Sequence, residues 1–178
     1  MVIKIKEFVV IFEKWLMPDM MPEHFYEVTP EIVKSMGGEA LICDIDNTLV
    51  TYDDPEPTEQ VLSWIAEMNK SGITVSFVSN NDWDRVKLFN KELGFVAYAK
   101  SGKPSIKNLK AACKDLGIDK SKAVLLGDQL LTDCAAAKRF GIKAIIVPPI
   151  KDKTTLFFKS KRLIEKPYVA KFKRMSGK

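Results

Sequence analysis

The stretch Leu41-Ile42-Cys43-Asp44-Ile45-Asp46-Asn47-Thr48-Leu49-Val50 decides the fold. Its apolar start, from Ala40 to Cys43, reads as a buried strand, and it stops at two carboxylates two positions apart followed by the turn residues Asn47 and Thr48. Along an extended segment that spacing puts Asp44 and Asp46 on one side. Both carboxylates then face one cleft at the carboxyl edge of a sheet, where open α/β sheets bind ligands. Like charges so close repel, and a metal ion or a substrate cation is the usual remedy. Taken alone, the pattern also fits a strand ending in an Asx-turn, so its meaning depends on the rest of the chain.

Downstream, Asp53-Asp54-Pro55-Glu56-Pro57 predicts a loop. Thr58 then caps a helix with Val61, Leu62, Ile65 and Met68 on its apolar face, which Gly72 stops. Residues 73–78 are β-rich and end in Ser79-Asn80-Asn81. A helix over about 83–93, a short strand at 95–98 and the loop Lys100-Ser101-Gly102-Lys103-Pro104 follow. Next come a helix carrying Ile106, Leu109 and Leu116, a strand at 123–126 broken by Gly127-Asp128, a helix over about 132–140, and a strand at 144–147. Strands that alternate with helices predict a parallel sheet covered on both faces.

Upstream, Thr29-Pro30-Glu31 reads as N-cap, first-turn proline and first-turn acid of a short helix closed by Gly37-Gly38. Further back, Ile5, Phe8, Val9, Phe12, Trp15 and Leu16 recur at helical spacing and predict an amphipathic helix ending before Pro18. Lysines and acids interrupt it well short of the ~20 apolar residues a membrane span requires. Its apolar face either packs on the domain or lies in a membrane interface.

At 178 residues, 46% hydrophobic and 29% charged, the chain has enough length for one well-buried core and too little for two ordinary domains. The expected organisation is an amino-terminal part over 1–37, a core over 38–150 and a basic tail over 151–178. Cys43, Cys113 and Cys134 lie far apart with no C-x-x-C pair, which favours a reducing compartment and no disulfide framework. His24 is the only histidine, which argues against a histidine-based zinc site or a Ser-His-Asp hydrolase. The tail holds ten Lys/Arg against two acids, while the remainder holds 18 bases against 21 acids. The whole positive excess thus comes from the tail, and no general nucleic-acid-binding surface follows from the high pI.

The polar groups at the strand ends belong together, because parallel strands point their carboxyl ends the same way. Strand one ends in Asp44 and Asp46, strand two in Ser79 and Asn80, the third is followed by Lys103, and the fourth ends in Asp128 with Asp133 just beyond. This set suits phosphoryl transfer. Asp44, Asp128 and Asp133 can offer oxygens to Mg²⁺, Ser79 and the neighbouring backbone N–H can bind phosphate, and Lys103 can neutralise remaining charge. A carboxylate nucleophile with a second carboxylate two residues on to protonate the leaving oxygen completes a covalent-catalysis set.

The motifs D-I-D-N-T-L at 44–49, V-S-N-N at 78–81, G-K-P at 102–104 and G-D-Q-L-L-T-D at 127–133 resemble the four motifs of the haloacid dehalogenase (HAD) superfamily of phosphatases. More narrowly, the chain is similar to the YqeG-like group of HAD subfamily IIIA over about residues 17–150. The resemblance implies a Rossmann-like, three-layer α/β/α core with a parallel sheet. It implies Asp44 as nucleophile forming an aspartyl-phosphate, Asp46 as general acid and base, and Ser79, Asn80 and Lys103 as binders of the phosphoryl group. Mg²⁺ would be held by Asp44, Asp128 and the Asp46 backbone carbonyl, with Asp133 in support. About ten residues separate Leu49 from the helix capped by Thr58, and 23 lie between Ser79 and Lys103, so neither gap holds a large cap domain. An open site is expected, suited to a bulky or surface-presented substrate.

Some members of this group in mitochondria and plastids act on phosphatidylglycerophosphate, an anionic phospholipid precursor. The amphipathic amino terminus and the basic tail, with its Leu156, Phe157, Phe158, Leu163, Ile164, Tyr168, Val169 and Phe172, suit a cytoplasmic protein that touches the inner membrane surface. The tail fits equally a helix packed on the core with a solvated lysine face. A soluble phosphometabolite or a nucleic-acid end are the alternative substrates, and a non-catalytic binding module is the third reading. A response-regulator receiver is disfavoured because its extra acids precede the phosphorylated Asp, whereas Asp128 and Asp133 follow Asp44.

Overall fold

Five short apolar segments pair edge to edge because each is flanked by turn residues and can satisfy its backbone only through a neighbour. The computed structural model describes residues 13–151 and 155–177. The strands are β1 (Ala40–Cys43), β2 (Thr74–Val78), β3 (Ala97–Tyr98), β4 (Ala123–Gly127) and β5 (Lys143–Ile146), in the order β3-β2-β1-β4-β5 and all parallel. The first strand is central. Its neighbours run in step with it, Cys43 lying opposite Phe77 on one side and Leu126 on the other.

Alternate residues of each strand point to opposite faces and build two cores. On one face Leu41, Cys43, Val75, Phe77, Val124 and Leu126 meet helices α1 (Pro30–Ser35), α2 (Glu59–Lys70) and α3 (Trp83–Phe89) through Val33, Val61, Ile65, Met68, Val86 and Phe89. On the other, Ile42, Leu125, Ala144 and Ile146 meet α4 (Lys107–Asp115) and α5 (Ala135–Phe140) through Leu109, Ala112, Ala136 and Phe140. The result is the expected three-layer α/β/α arrangement. Thr29, Thr58 and Asp82 cap α1, α2 and α3 by accepting from backbone N–H groups three residues on.

Two elements differ from the sequence expectation, and a third, the tail, takes one of the two forms it allowed. Helix α3 stops at Phe89 and not near 93, because the Asn90 side chain bonds the Phe95 backbone in both directions, at 2.7 and 3.0 Å, and turns the chain. The helix expected from about 132 begins with a π-helical turn, Leu130–Cys134, in which the Gln129 carbonyl accepts from both Asp133 N and Cys134 N. The tail forms one helix, α6 (Leu156–Met175), with Pro167 inside it. Tyr168 and Val169 of α6 pack on the second core, whereas Leu163 and Ile164 are exposed.

Residues 13–15 end a helix, Leu16 is fully buried and Trp15 packs beside it. The earlier part of the expected amphipathic helix lies outside the described residues. No helix among the described residues is long and apolar enough to cross a membrane. All three cysteines are buried thiols.

Candidate active site

Backbone bonds set the rim. Asp44 N donates to Leu126 O at 2.8 Å, so the ends of β1 and β4 stay level. Beyond them Asn47 takes a left-handed turn, φ +65°, a conformation that asparagine tolerates better than most residues. Its side chain binds the Lys151 backbone through Nδ2 to O at 2.7 Å and Oδ1 from N at 3.2 Å, which ties the first motif to the chain entering the tail. At the end of β2, Ser79 donates its N–H to Tyr98 O and accepts at its carbonyl from Ser101 N. Its Oγ accepts from Asn81 N at 3.1 Å. A hydroxyl that accepts there still has a proton to give. Asn80 holds the Lys103 backbone, accepting from its N–H at 2.7 Å, so its side chain lies on the loop of Lys103.

Lys103 is the hub. Its Nζ lies 2.8 Å from Asp44 Oδ1 and 2.6 Å from Asp133 Oδ1. Asp133 reaches it because the π turn winds back over Gly127, where a Cβ would sit 2.4 Å from the Asp133 carboxyl carbon. The other Asp133 oxygen accepts from Gln129 N at 3.1 Å. Asp44, Asp128 and Asp133 are all buried and offer oxygens within 4.8 Å of one another.

Burial dominates the electrostatics. It pushes the Asp44 carboxyl up to about 7; Lys103 pulls it down, while Asp133 and Asp46 push it further up. Burial likewise raises Asp128 to about 8, with Asp133 and Asp44 adding to the rise and Arg162 opposing it. The same burial works against the Lys103 ammonium, yet Asp133 and Asp44 more than offset it and hold the charge firmly. Carboxylates forced together and driven toward the protonated form are a site in want of positive charge. The all-oxygen donor set fits a hard divalent cation such as Mg²⁺.

The tail closes in on Asp128. Arg162 donates Nη2 to Asp128 Oδ2 at 2.5 Å and Nη1 to the Asp128 carbonyl at 2.9 Å. Glu165, one turn on and 2% exposed, accepts from Arg162 Nη1 and from Leu131 N, both at 2.9 Å, and so pins α6 to the π turn. Lys161 reaches the same carboxylate indirectly, donating to Gln129 Oε1, whose Nε2 donates to Asp128 Oδ1. Tyr52 is half-buried and feels the cluster's charge. Burial and then the Asp128, Asp44 and Asp46 carboxylates raise its phenol, with Arg162 acting the other way. The site therefore has no inserted cap, but Arg162 from the tail reaches it and pairs with Asp128.

Asp46 has its own partners. Arg85 Nε donates to Oδ1 and Asn81 Nδ2 to Oδ2, each at 3.0 Å. Asn81 stands in the V-S-N-N motif without a role assigned from the sequence, whereas Arg85, Tyr52, Arg162 and Glu165 lie outside the four motifs. Of these four only Glu165 carries a sequence signal, as the single acid in residues 155–178 of a strongly basic segment. A lone acid in such a helix has a reason to be buried with a cation.

Residues 100–154, which carry Lys103, Asp128 and Asp133, match the family model described as HAD-hydrolase-like. The chain is 35% identical over 164 residues to the probable phosphatase YqeG of Bacillus subtilis (strain 168), covering 92% of this chain and 95% of that protein. It also resembles the crystal structure of an uncharacterized protein from Listeria monocytogenes serotype 4b, with a TM-score of 0.52 at 20% identity, covering 65% of this chain and 84% of that one. That second likeness concerns the fold alone, and it agrees with the parallel five-stranded sheet. The near full-length match to YqeG, together with the four motifs on one rim, places this chain in the HAD family of phosphatases, as a YqeG-like member.

Proposed function

We propose that the protein is a Mg²⁺-dependent phosphomonoester hydrolase that works through an aspartyl-phosphate on Asp44. The observation that carries this reading is the position of Asp44, at the end of the central strand, 2.8 Å from the Lys103 ammonium and inside the three-carboxylate cluster. Asp44, Asp128 and the Asp46 carbonyl would hold the ion, with Asp133 in support; when bound, it supplies charge against the phosphoryl oxygens and keeps Asp44 ionised.

In the first step a carboxylate oxygen of Asp44 attacks phosphorus and the bond from phosphorus to the ester oxygen breaks. Asp46 delivers a proton to that oxygen, which leaves as an alcohol. In the second step Asp46 takes a proton from water, the water oxygen bonds to phosphorus, and the Asp44 carboxylate and inorganic phosphate are released. Ser79 donates to a phosphoryl oxygen and Lys103 neutralises a second. Asn80 acts on the phosphate through Lys103, whose backbone it holds.

The substrate class is bulky and surface-presented, an anionic phospholipid such as phosphatidylglycerophosphate, met at the inner surface of a membrane by a cytoplasmic protein. The lack of an inserted cap supports this, as does α6: Arg162 touches Asp128 while the next two residues, Leu163 and Ile164, are 72% and 50% exposed. Exposed apolar residues on a basic helix suit an anionic interface, where each Lys or Arg near the surface adds about 1 kcal/mol. Residues 1–37, 38–150 and 151–178 are then the amino-terminal, catalytic and surface-contact parts. A substrate panel with Mg²⁺ tests the reading, comparing phosphatidylglycerophosphate in mixed micelles with soluble sugar phosphates and with oligonucleotide end phosphates. Preference for the lipid is expected; a soluble substrate turned over far faster would overturn the lipid assignment. Asp44→Asn should abolish every activity in the panel.

A further inference from the structure

Asp46 is gripped at both oxygens by residues from outside its own motif, and the grip is built from three segments. Asp82 caps α3 by accepting from Arg85 N at 2.9 Å, which fixes Arg85 on the first turn of that helix. From there its guanidinium donates Nε to Asp46 Oδ1 at 3.0 Å and Nη1 to the Pro55 carbonyl at 2.7 Å, while its Cζ lies 5.7 Å from the centre of the Phe89 ring. Asn81 completes the hold from the other side, Nδ2 to Oδ2 at 3.0 Å, and is itself anchored by its backbone N–H to Ser79 Oγ. Donors at both oxygens fix the plane of the carboxylate as well as its place. The Arg85 side chain is only 12% exposed, and its Nη2 is buried without a hydrogen-bond partner among the described residues.

We propose that Arg85, together with Asn81, is the positioning device for proton transfer by Asp46. The proposal rests on the reading of Asp46 as general acid and base given above. A proton delivered to a leaving oxygen must travel along a short, aligned hydrogen bond, and a misplacement of about 1 Å costs on the order of 10²-fold in rate. Arg85 thereby couples the orientation of Asp46 to the loop at Pro55 and to the start of α3.

The test is the dependence of kcat/KM on leaving-group acidity, since kcat/KM reports the step in which Asp44 is phosphorylated. The full chain with Mg²⁺ is assayed on aryl phosphates graded from nitrophenyl to methoxyphenyl, as wild type, Arg85→Met, Arg85→Lys and Asn81→Ala. A nitrophenolate leaves without a proton, so its kcat/KM should stay within a few-fold of wild type in every variant. Methoxyphenyl phosphate should fall by about 10²-fold in Arg85→Met, with Arg85→Lys and Asn81→Ala in between. Values of kcat should fall across the series, because the second step needs Asp46 as base whatever has left. A loss of kcat/KM equal for all members of the series, or no loss of it, would overturn the proposal; if Arg85→Met does not fold, the other two variants give the same readout. Wild type inert toward the whole series would instead sink the phosphatase reading beneath it.

Discussion

Asp46 and Asp128 flank Asp44 on opposite sides, and each is met by an arginine that lies outside the four motifs, but the two arginines arrive by different routes. Arg85 comes from the helix that follows β2, and its side chain is 12% exposed. Arg162 comes from the terminal helix, is 27% exposed, and depends on the buried Glu165 to hold that helix in place. Orientation on the Asp46 side is thus built into the sheet and its first three helices. On the Asp128 side it depends on the docking of a basic segment that also presents Leu163 and Ile164 outward. The Asp46 flank should keep its character whatever the tail does, whereas the Asp128 flank should respond to it.

The largest separation of the two flanks should come from their own carboxylates. Asp46→Asn is expected to lower turnover of substrates with poor leaving groups by about 10²–10⁴-fold and to leave Mg²⁺ binding close to wild type in a direct titration. Asp128→Asn should do the reverse in character, weakening Mg²⁺ by at least about tenfold. Equal effects of both variants on metal affinity would erase the distinction between the flanks.

A smaller effect is expected one layer out. Glu165→Leu removes the acceptor for Leu131 N and the partner of Arg162 in a buried place, and should lower unfolding free energy by about 1–3 kcal/mol in denaturant titration. It should also shift the Mg²⁺ titration while leaving the leaving-group dependence governed by Asp46 unchanged. A change in that dependence would show the two flanks to be coupled. The smallest effect on the fold belongs to Leu163→Ser, within about 0.5 kcal/mol of wild type because the side chain is already in solvent. The same variant should bind vesicles rich in phosphatidylglycerol more weakly than wild type, and unchanged binding would remove Leu163 from the contact surface.

The same contrast explains what the sequence made legible. Asp44, Ser79 and Asp128 each stand at the end of an apolar run, so the parallel arrangement brings them to one rim, with Lys103 and Asp133 in the segments just beyond. Arg85 and Arg162 act 39 and 34 residues away from the carboxylates they hold, and each sits on a helix where a cation ordinarily faces water. No local pattern distinguishes them from Lys87 or Lys159. The π turn was hidden for a related reason. Its spacing serves the reach of Asp133 over Gly127 to Lys103, a contact made between strands and absent from the periodicity of the segment itself. Helix α3 ended early through a side-chain bond from Asn90 to Phe95 that competes with the helix and carries no apolar signature.

Transfer of the phosphoryl group to Asp44 can be put to one direct measurement. The wild-type protein turning over a radiolabelled aryl phosphate with Mg²⁺ is quenched in acid, reduced with borohydride, and mapped by peptide mass spectrometry. An acyl phosphate on Asp44 should trap as homoserine at position 44, in step with the label retained before reduction. Label on Ser79 or on any other residue, or steady turnover with no covalent label at all, would contradict the account.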